Sequence, residues 1–157
     1  MTTLRQRMLE DMRIRNLSVN TQKEYVRCVA AFAKYFGKSP DRLTREDIRT
    51  YQLYLLNEKR LSPSSRNIFV CALRFFYHVT LGVKWDIQAI PYTREPKKLP
   101  VVLSRDEVAR FLRAIRDWKY RTVLMTTYAA GLRVSEVTRL QIRDIDSQRM
   151  CIRVVQG

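Results

Sequence analysis

Apolar side chains recur through the first half of the chain at helical intervals. Leu4, Met8 and Met12, four residues apart, predict a first helix through about Arg15. Ser18 suits the start of a second helix. Its apolar stripe is Tyr25, Val29, Phe32 and Phe36, and Gly37 is placed to stop it. Pro40 falls in the turn after it. Thr44 and Asp47 have the spacing of a capping box, and Ile48, Tyr51 and Leu55 carry a third helix to about Lys59. Ser62-Pro63 reads as a cap followed by proline at the one helical position where its missing N–H costs nothing. The fourth helix then places Ile68, Ala72, Phe75 and Val79 on one face, and Gly82 ends it. Four helices with short connections predict a helical domain over residues 1–83.

The periodicity breaks at Lys84. Three prolines, Pro91, Pro96 and Pro100, force extended chain and block helix, which predicts a linker over 84–99. Arg94, Lys97 and Lys98 make it basic, fit either to lie along a phosphate backbone or to serve as a plain spacer. Periodicity resumes at Ser104-Arg-Asp-Glu107, a second capping box, ahead of Val108, Phe111, Leu112 and Ile115. A helix over about Tyr120–Ala130 comes next, with Val123, Leu124, Thr127 and Tyr128 as its expected inward face. Asp144-Ile-Asp146 reads as a turn, and Met150–Val155 reads as a strand with Ile152 and Val154 on alternate positions.

Between those elements lies a corner, Gly131-Leu132-Arg133-Val134-Ser135-Glu136. Gly suits the left-handed residue after a helix, and Ser suits a new helix start. Arg133 is thereby expected beside a helix N-terminus, where its guanidinium can hold a phosphate or carboxylate by paired hydrogen bonds. Taken alone, the same residues fit an ordinary helix corner with a solvated arginine.

Charge widens the picture. The 157 residues hold 30 Lys and Arg against 15 Asp and Glu, a formal charge of +15. Before residue 84 there are 15 basic and 7 acidic residues; from residue 84 on there are 15 and 8. The excess is therefore spread over both halves and does not mark a basic tail. A folded polycation of this kind points to a polyanion, nucleic acid first, with an anionic membrane surface as the competing reading. Lys23, Arg27, Arg66 and Arg74 fall on polar helix faces, and Asn67, Cys71 and Arg74 align beside the apolar stripe of the fourth helix. Arg and Asn are the side chains that pair with guanine and adenine edges, so this is a candidate recognition edge; a solvated face has the same pattern. The aromatic stripes keep strict helical spacing and read as core, not as base-stacking platforms.

Cys28, Cys71 and Cys151 are widely spaced, and His78 is the only histidine. They predict reduced core residues in a cytoplasmic protein, without a disulfide framework or a metal site. The N-terminus lacks the apolar segment of a signal peptide, and no apolar run approaches the ~20 residues of a membrane span.

In combination these segments resemble the tyrosine recombinases, the phage integrase family. The resemblance rests on Ser18-x-x-Thr21-x-x-x-Tyr25, on Ala72-Leu-Arg-Phe-Phe-Tyr77, and on Lys97-Lys98-Leu99-Pro100 leading into Leu103-Ser104-x-x-Glu107-Val108. Its most specific piece is Gly131-Leu-Arg-Val-Ser-Glu-Val137, followed by Leu140 and Asp144-Ile-Asp146. The implied fold is mainly α: a helical core-binding, SAM-like bundle followed by part of an α+β catalytic domain over 100–157. The implied function is site-specific DNA recombination. A tyrosine attacks a phosphodiester to form a 3′-phosphotyrosyl link, and another strand's 5′-hydroxyl reverses it, without metal or nucleotide cofactor. Arg133 matches the family's first phosphate-clamping arginine, with Glu136 as its orienting partner. Thr21, Lys23, Arg27, Arg66, Asn67, Arg74, Lys97 and Lys98 are the expected DNA contacts. Double-stranded DNA is the implied partner, together with full-length recombinase subunits assembled on it. A stand-alone DNA-binding module is the alternative.

The family's lysine hairpin, His-x-x-Arg box and nucleophilic tyrosine all lie further along than Gly157. His78 is followed by Val79-Thr80-Leu81 and cannot supply the box. The expectation is therefore a shortened chain with one catalytic residue of the set, inactive by itself. Its residues 1–83 are expected to fold stably, and residues 100–157, carrying an unfinished sheet, loosely. Tyr128, near Arg133 in sequence, is expected to pack in the core.

Overall fold

The caps named by the sequence set the helix boundaries in the computed structural model, which describes residues 3–84, 90–96 and 99–154. Helix α1 spans Thr3–Ile14 and α2 spans Val19–Phe36. The Ser18 hydroxyl accepts from Thr21 N–H at the start of α2, and Gly37 closes it at φ 63°, a left-handed geometry that costs glycine nothing. Helix α3 (Arg45–Asn57) opens on a complete capping box: Asp47 N–H donates to Thr44 Oγ1, and Thr44 N–H donates to the Asp47 carboxylate at 2.7 Å. Ser62 caps α4 (Pro63–Phe75), with Pro63 inside its first turn.

Helix α1 lies against α2, α2 runs along α4, and α3 packs on α4. The shared core includes Met8, Met12, Cys28, Phe32, Ile48 and Leu73. Phe32 sits edge-on to Phe36 and Tyr51, with ring centroids 5.5 and 5.1 Å away. The face of α4 differs from the expected Ile68–Ala72–Phe75–Val79 row. Ile68 is exposed, and the buried residues are Phe69, Val70, Ala72 and Leu73. A π-helical turn follows over Phe76–Thr80, in which Leu81 N–H reaches back five residues to Phe76 C=O. Phe69, Leu73, Phe76 and Thr80 are spaced four, three and four apart, so the buried face is a regular helical row one residue round from the expected one, and Phe75 and Val79 are only half-buried. Tyr77 donates its hydroxyl proton to Pro40 C=O at 2.7 Å, tying this turn to the loop before α3.

The chain divides into two compact units, Met1–Lys97 and Lys98–Gly157. The first therefore includes residues 90–96, read from sequence as linker. They form neither helix nor strand, as proline predicts, but they are docked: Ile90 is only 3% exposed and joins the core. An apolar side chain inside a polar stretch supplied the anchor.

In the second unit, α5 spans Arg105–Ala114 behind the Ser104–Glu107 capping box, and α6 spans Trp118–Ala130 behind Asp117. Val134–Val137 forms the single turn α7. Asp144–Asp146, expected as a turn, instead supplies strand β1 (Ile145–Asp146). It pairs antiparallel with β2 (Cys151–Ile152), Ile145 facing Ile152. The strand expected to lack a partner thus has a short one. Asp146 makes the hairpin possible by accepting from the N–H groups of Gln148 and Arg149. No residue of α5, α6 or α7 is fully buried, and Trp118, Tyr120 and Tyr128 are exposed. The expected core placement of Tyr128 does not hold. Of the cysteines, Cys28 is buried, Cys71 is half-buried and Cys151 is exposed, so only Cys28 is the core residue expected of all three. No helix among the described residues is long and apolar enough to cross a membrane.

Candidate functional site

In the second unit, α6 ends at Gly131, at φ 62° and ψ 32°, with Leu132 N–H bonded back to Thr127 C=O. The chain therefore turns sharply, and Arg133, not Ser135, takes the cap position of α7. Glu136 does the capping. One carboxylate oxygen accepts from Arg133 N–H and the other from Arg133 Nη1, both at 2.8 Å. Backbone and guanidinium of one residue are thus held by one carboxylate. The hydrogen bond from Arg133 N–H, followed by that from its guanidinium, keeps the Glu136 carboxyl below its ordinary range. The Arg133 side chain remains 77% exposed and that of Glu136 only 15%. One edge of the guanidinium is committed, and its other N–H groups face outward. Helix α7 is one turn long, so its dipole adds little, and an anion here would be held by the guanidinium itself.

Behind this corner a cavity of about 260 Å³ is lined by Arg139, Arg143 and Arg153 together with Glu136 and Asp144. None of these arginines stands out in the sequence. Arg139 and Arg143 are four apart but Arg153 is ten further on, and the β hairpin, through Arg153 N–H to Asp144 C=O at 2.8 Å, brings the third to the first two. Among the described residues no group of three or more His, Cys, Asp or Glu is placed to hold a metal.

In the first unit the candidate contacts separate into two groups. Lys23 and Arg27 are exposed on α2. Arg27 is paired with Glu24 at 2.7 Å, and its guanidinium lies 5.8 Å from the Phe69 ring centroid. Thr21 hydrogen-bonds Ser18, so it contributes to the start of α2 whatever else it touches. Arg66 is half-buried, and its Nε has no hydrogen-bond partner among the described residues. Asn67 and Arg74 bond within the chain: Asn67 to Thr93 and Glu95, Arg74 to Ile90 C=O. The edge expected to read bases is therefore occupied by the chain's own residues 90–95. Lys97 and Lys98 lie outside the described residues.

Comparison with known proteins places these features in a lineage. Residues 4–87 match the family described as "Phage integrase, N-terminal SAM-like domain", and residues 101–157 match "Phage integrase family". The chain is 56% identical over its full length to the putative integrase/recombinase y4qK of Sinorhizobium fredii, covering 51% of that protein. It is 31% identical to the tyrosine recombinase XerC of Lactobacillus leichmannii, covering 89% of this chain and 52% of that one. Among solved structures, that of the XerA recombinase is similar, with a TM-score of 0.50 and 32% identity, over 98% of this chain and 55% of its own. The chain spans about half the length of these relatives.

Proposed function

The chain belongs to the phage integrase family, and from that premise we propose that it is the DNA-engaging part of a tyrosine recombinase, which acts in site-specific recombination and integration. The first unit docks on duplex DNA through the basic polar face of α2, where Lys23 and Arg27 are exposed, and the second brings Arg133 to a phosphate. The observation that carries this reading is the Arg133–Glu136 pair: a guanidinium fixed by its own backbone cap yet still open to solvent.

A phosphodiester under attack gathers charge on its non-bridging oxygens. A pre-oriented guanidinium stabilises that charge without reorganising as it forms. Glu136 supplies the orientation; its lowered pKa keeps it ionised at neutral pH, which suits an acceptor and not a proton donor. In the family's chemistry the attacking group is a tyrosine hydroxyl, and bond formation at phosphorus releases a 5′-hydroxyl. The 157 residues supply the clamp. None of the eight tyrosines in these residues matches the family's nucleophile in position, so these residues by themselves are expected to bind DNA without forming the covalent link.

Two measurements test the reading. Affinity for duplex DNA should fall steeply with salt, since each neutralised phosphate contributes about −0.9 to the slope of log K against log salt. Arg133→Ala should reduce the slope by about 1; a flat salt response removes the electrostatic clamp. A suicide substrate that traps phosphotyrosyl product should give none, and covalent product would show that a nucleophile is present after all.

A further inference from the structure

Residues 90–95 run antiparallel to α4, and three α4 side chains on one edge grip them in turn. Arg74 donates through Nε to Ile90 C=O at 2.8 Å, and its Nη2 donates to the same oxygen. Its guanidinium carbon also lies 4.1 Å from the Tyr92 ring centroid. Cys71 Sγ is 3.5 Å from the Tyr92 hydroxyl. The Asn67 amide pairs with Thr93 like a strand neighbour: its Oδ1 accepts from Thr93 N–H at 2.8 Å, and its Nδ2 donates to Thr93 C=O at 3.0 Å. The same Nδ2 donates to Glu95 Oε1 at 2.9 Å. From the α3 side, Gln52 Nε2 donates to Pro91 C=O at 3.4 Å. Three of the four hydrogen bonds an Asn side chain can make are thus spent on the strap, and Ile90 is sunk in the core beneath it.

We infer that Asn67 and Arg74 are positioning residues that brace this strap to α4, and do not read DNA bases. A loosely lying lid would not bury its first residue or satisfy its backbone from two helices. The brace changes the tether between the units. From Lys84 to Leu103 a free tether of twenty residues could extend to about 70 Å. Pinned through Glu95, only residues 96–103 remain, with a limit of about 28 Å. Effective concentration falls roughly as the −3/2 power of tether length. Bracing therefore raises the local concentration of the second unit at DNA held by the first about fourfold. This last step rests on the DNA-binding reading; the brace itself does not.

Hydrogen exchange on the full chain, with and without a 30-base-pair duplex of mixed sequence, separates the two. The Thr93 amide should be protected in the free protein and should exchange at least tenfold faster in Asn67→Ala. Asn67→Asp, which keeps the acceptor for Thr93 N–H, should retain most of the protection. Unchanged Phe32 amide protection shows that neither variant has merely unfolded the first unit. With DNA bound, Thr93 should stay protected, and Asn67→Ala, which leaves Arg74 and the buried Ile90 holding the strap and frees residues 91–103, should weaken duplex affinity about twofold irrespective of sequence. Equal Thr93 exchange in wild type and Asn67→Ala overturns the brace, and so does its deprotection on adding DNA, which would mean that the edge is surrendered to bases. Absence of any duplex binding refutes the DNA reading and leaves the brace to be judged on the free protein.

Discussion

A matched pair of truncations, Phe32→Ala and Phe111→Ala, measures how unequally the two units are held together. Phe32 is fully buried in the first unit and meets Phe36 and Tyr51 edge-on. Its removal forfeits the transfer free energy of a whole aromatic side chain and leaves a cavity, a loss of about 3–5 kcal/mol. A unit of this size is stabilised by roughly 5–15 kcal/mol in all. With about 4–8 °C lost per kcal/mol, its Tm should drop by at least about 12 °C. Phe111 on α5 is 56% exposed, so less than half of its surface was withdrawn from water. Full burial of a Phe contributes about 1.5–3 kcal/mol, which leaves about 1 kcal/mol for Phe111 and no closed cavity. Hydrogen exchange read separately for α2 and α5 is the assay, because it assigns the loss to a unit. Phe32→Ala should raise exchange in α2 by two orders of magnitude or more, and Phe111→Ala should change α5 by less than tenfold. Comparable losses, or strong wild-type protection throughout α5 and α6, would refute the view that the second unit lacks a closed core.

Tyr77→Phe removes the donor to Pro40 C=O inside a buried site, and the first unit should lose about 1–3 kcal/mol in a urea melt. Burial, with Asp47 and Asp41 nearby, pushes the Tyr77 hydroxyl well above the ordinary tyrosine range, so its ultraviolet titration should appear only on alkaline unfolding. Acid should open the carboxylate-capped starts of α3 and α7. Asp47 and Glu136 are held below their ordinary values of 3.8 and 4.5, chiefly by backbone N–H donors at Thr44 and Arg133. A depressed folded value means that the cap is complete above the ordinary value and is lost as pH falls through the depressed one. The Thr44 and Arg133 amide resonances should therefore shift below about pH 4, and a flat response for Arg133 would exclude Glu136 as its cap. Glu136→Gln should keep an acceptor for Arg133 N–H while weakening duplex affinity less than Arg133→Ala does.

Much of the helix plan is legible because it is written in neighbouring residues. Thr44 with Asp47, Ser104 with Glu107, and Ser62 before Pro63 act within a single turn, and the structure uses each as expected. Ile48, Tyr51 and Leu55 lie four or fewer apart, and α3 buries all three. The Arg133 corner is recognisable for the same reason, since Gly131, Arg133 and Glu136 are close in sequence. Its cap is not, because Ser outranks Arg as a general cap, whereas here the Glu136 carboxylate reaches the Arg133 amide directly. The α4 face is misjudged by one position because two rows keep helical spacing side by side, Ile68–Ala72–Phe75–Val79 and Phe69–Leu73–Phe76–Thr80, and packing against α2 and α3 selects the second.

Local spacing, caps and charge thus determined that this chain forms helices, where most begin, and that its surface suits a polyanion. Tertiary structure alone decided which polar groups remain free to meet one. Asn67 and Arg74 look like open recognition side chains until residues 90–95, 16 to 28 positions away, fold back and take their hydrogen bonds. Arg153 joins Arg139 and Arg143 only through the β1–β2 hairpin. Periodicity reports what lies within one element, whereas a hydrogen bond between distant segments depends on where the packed core has placed them.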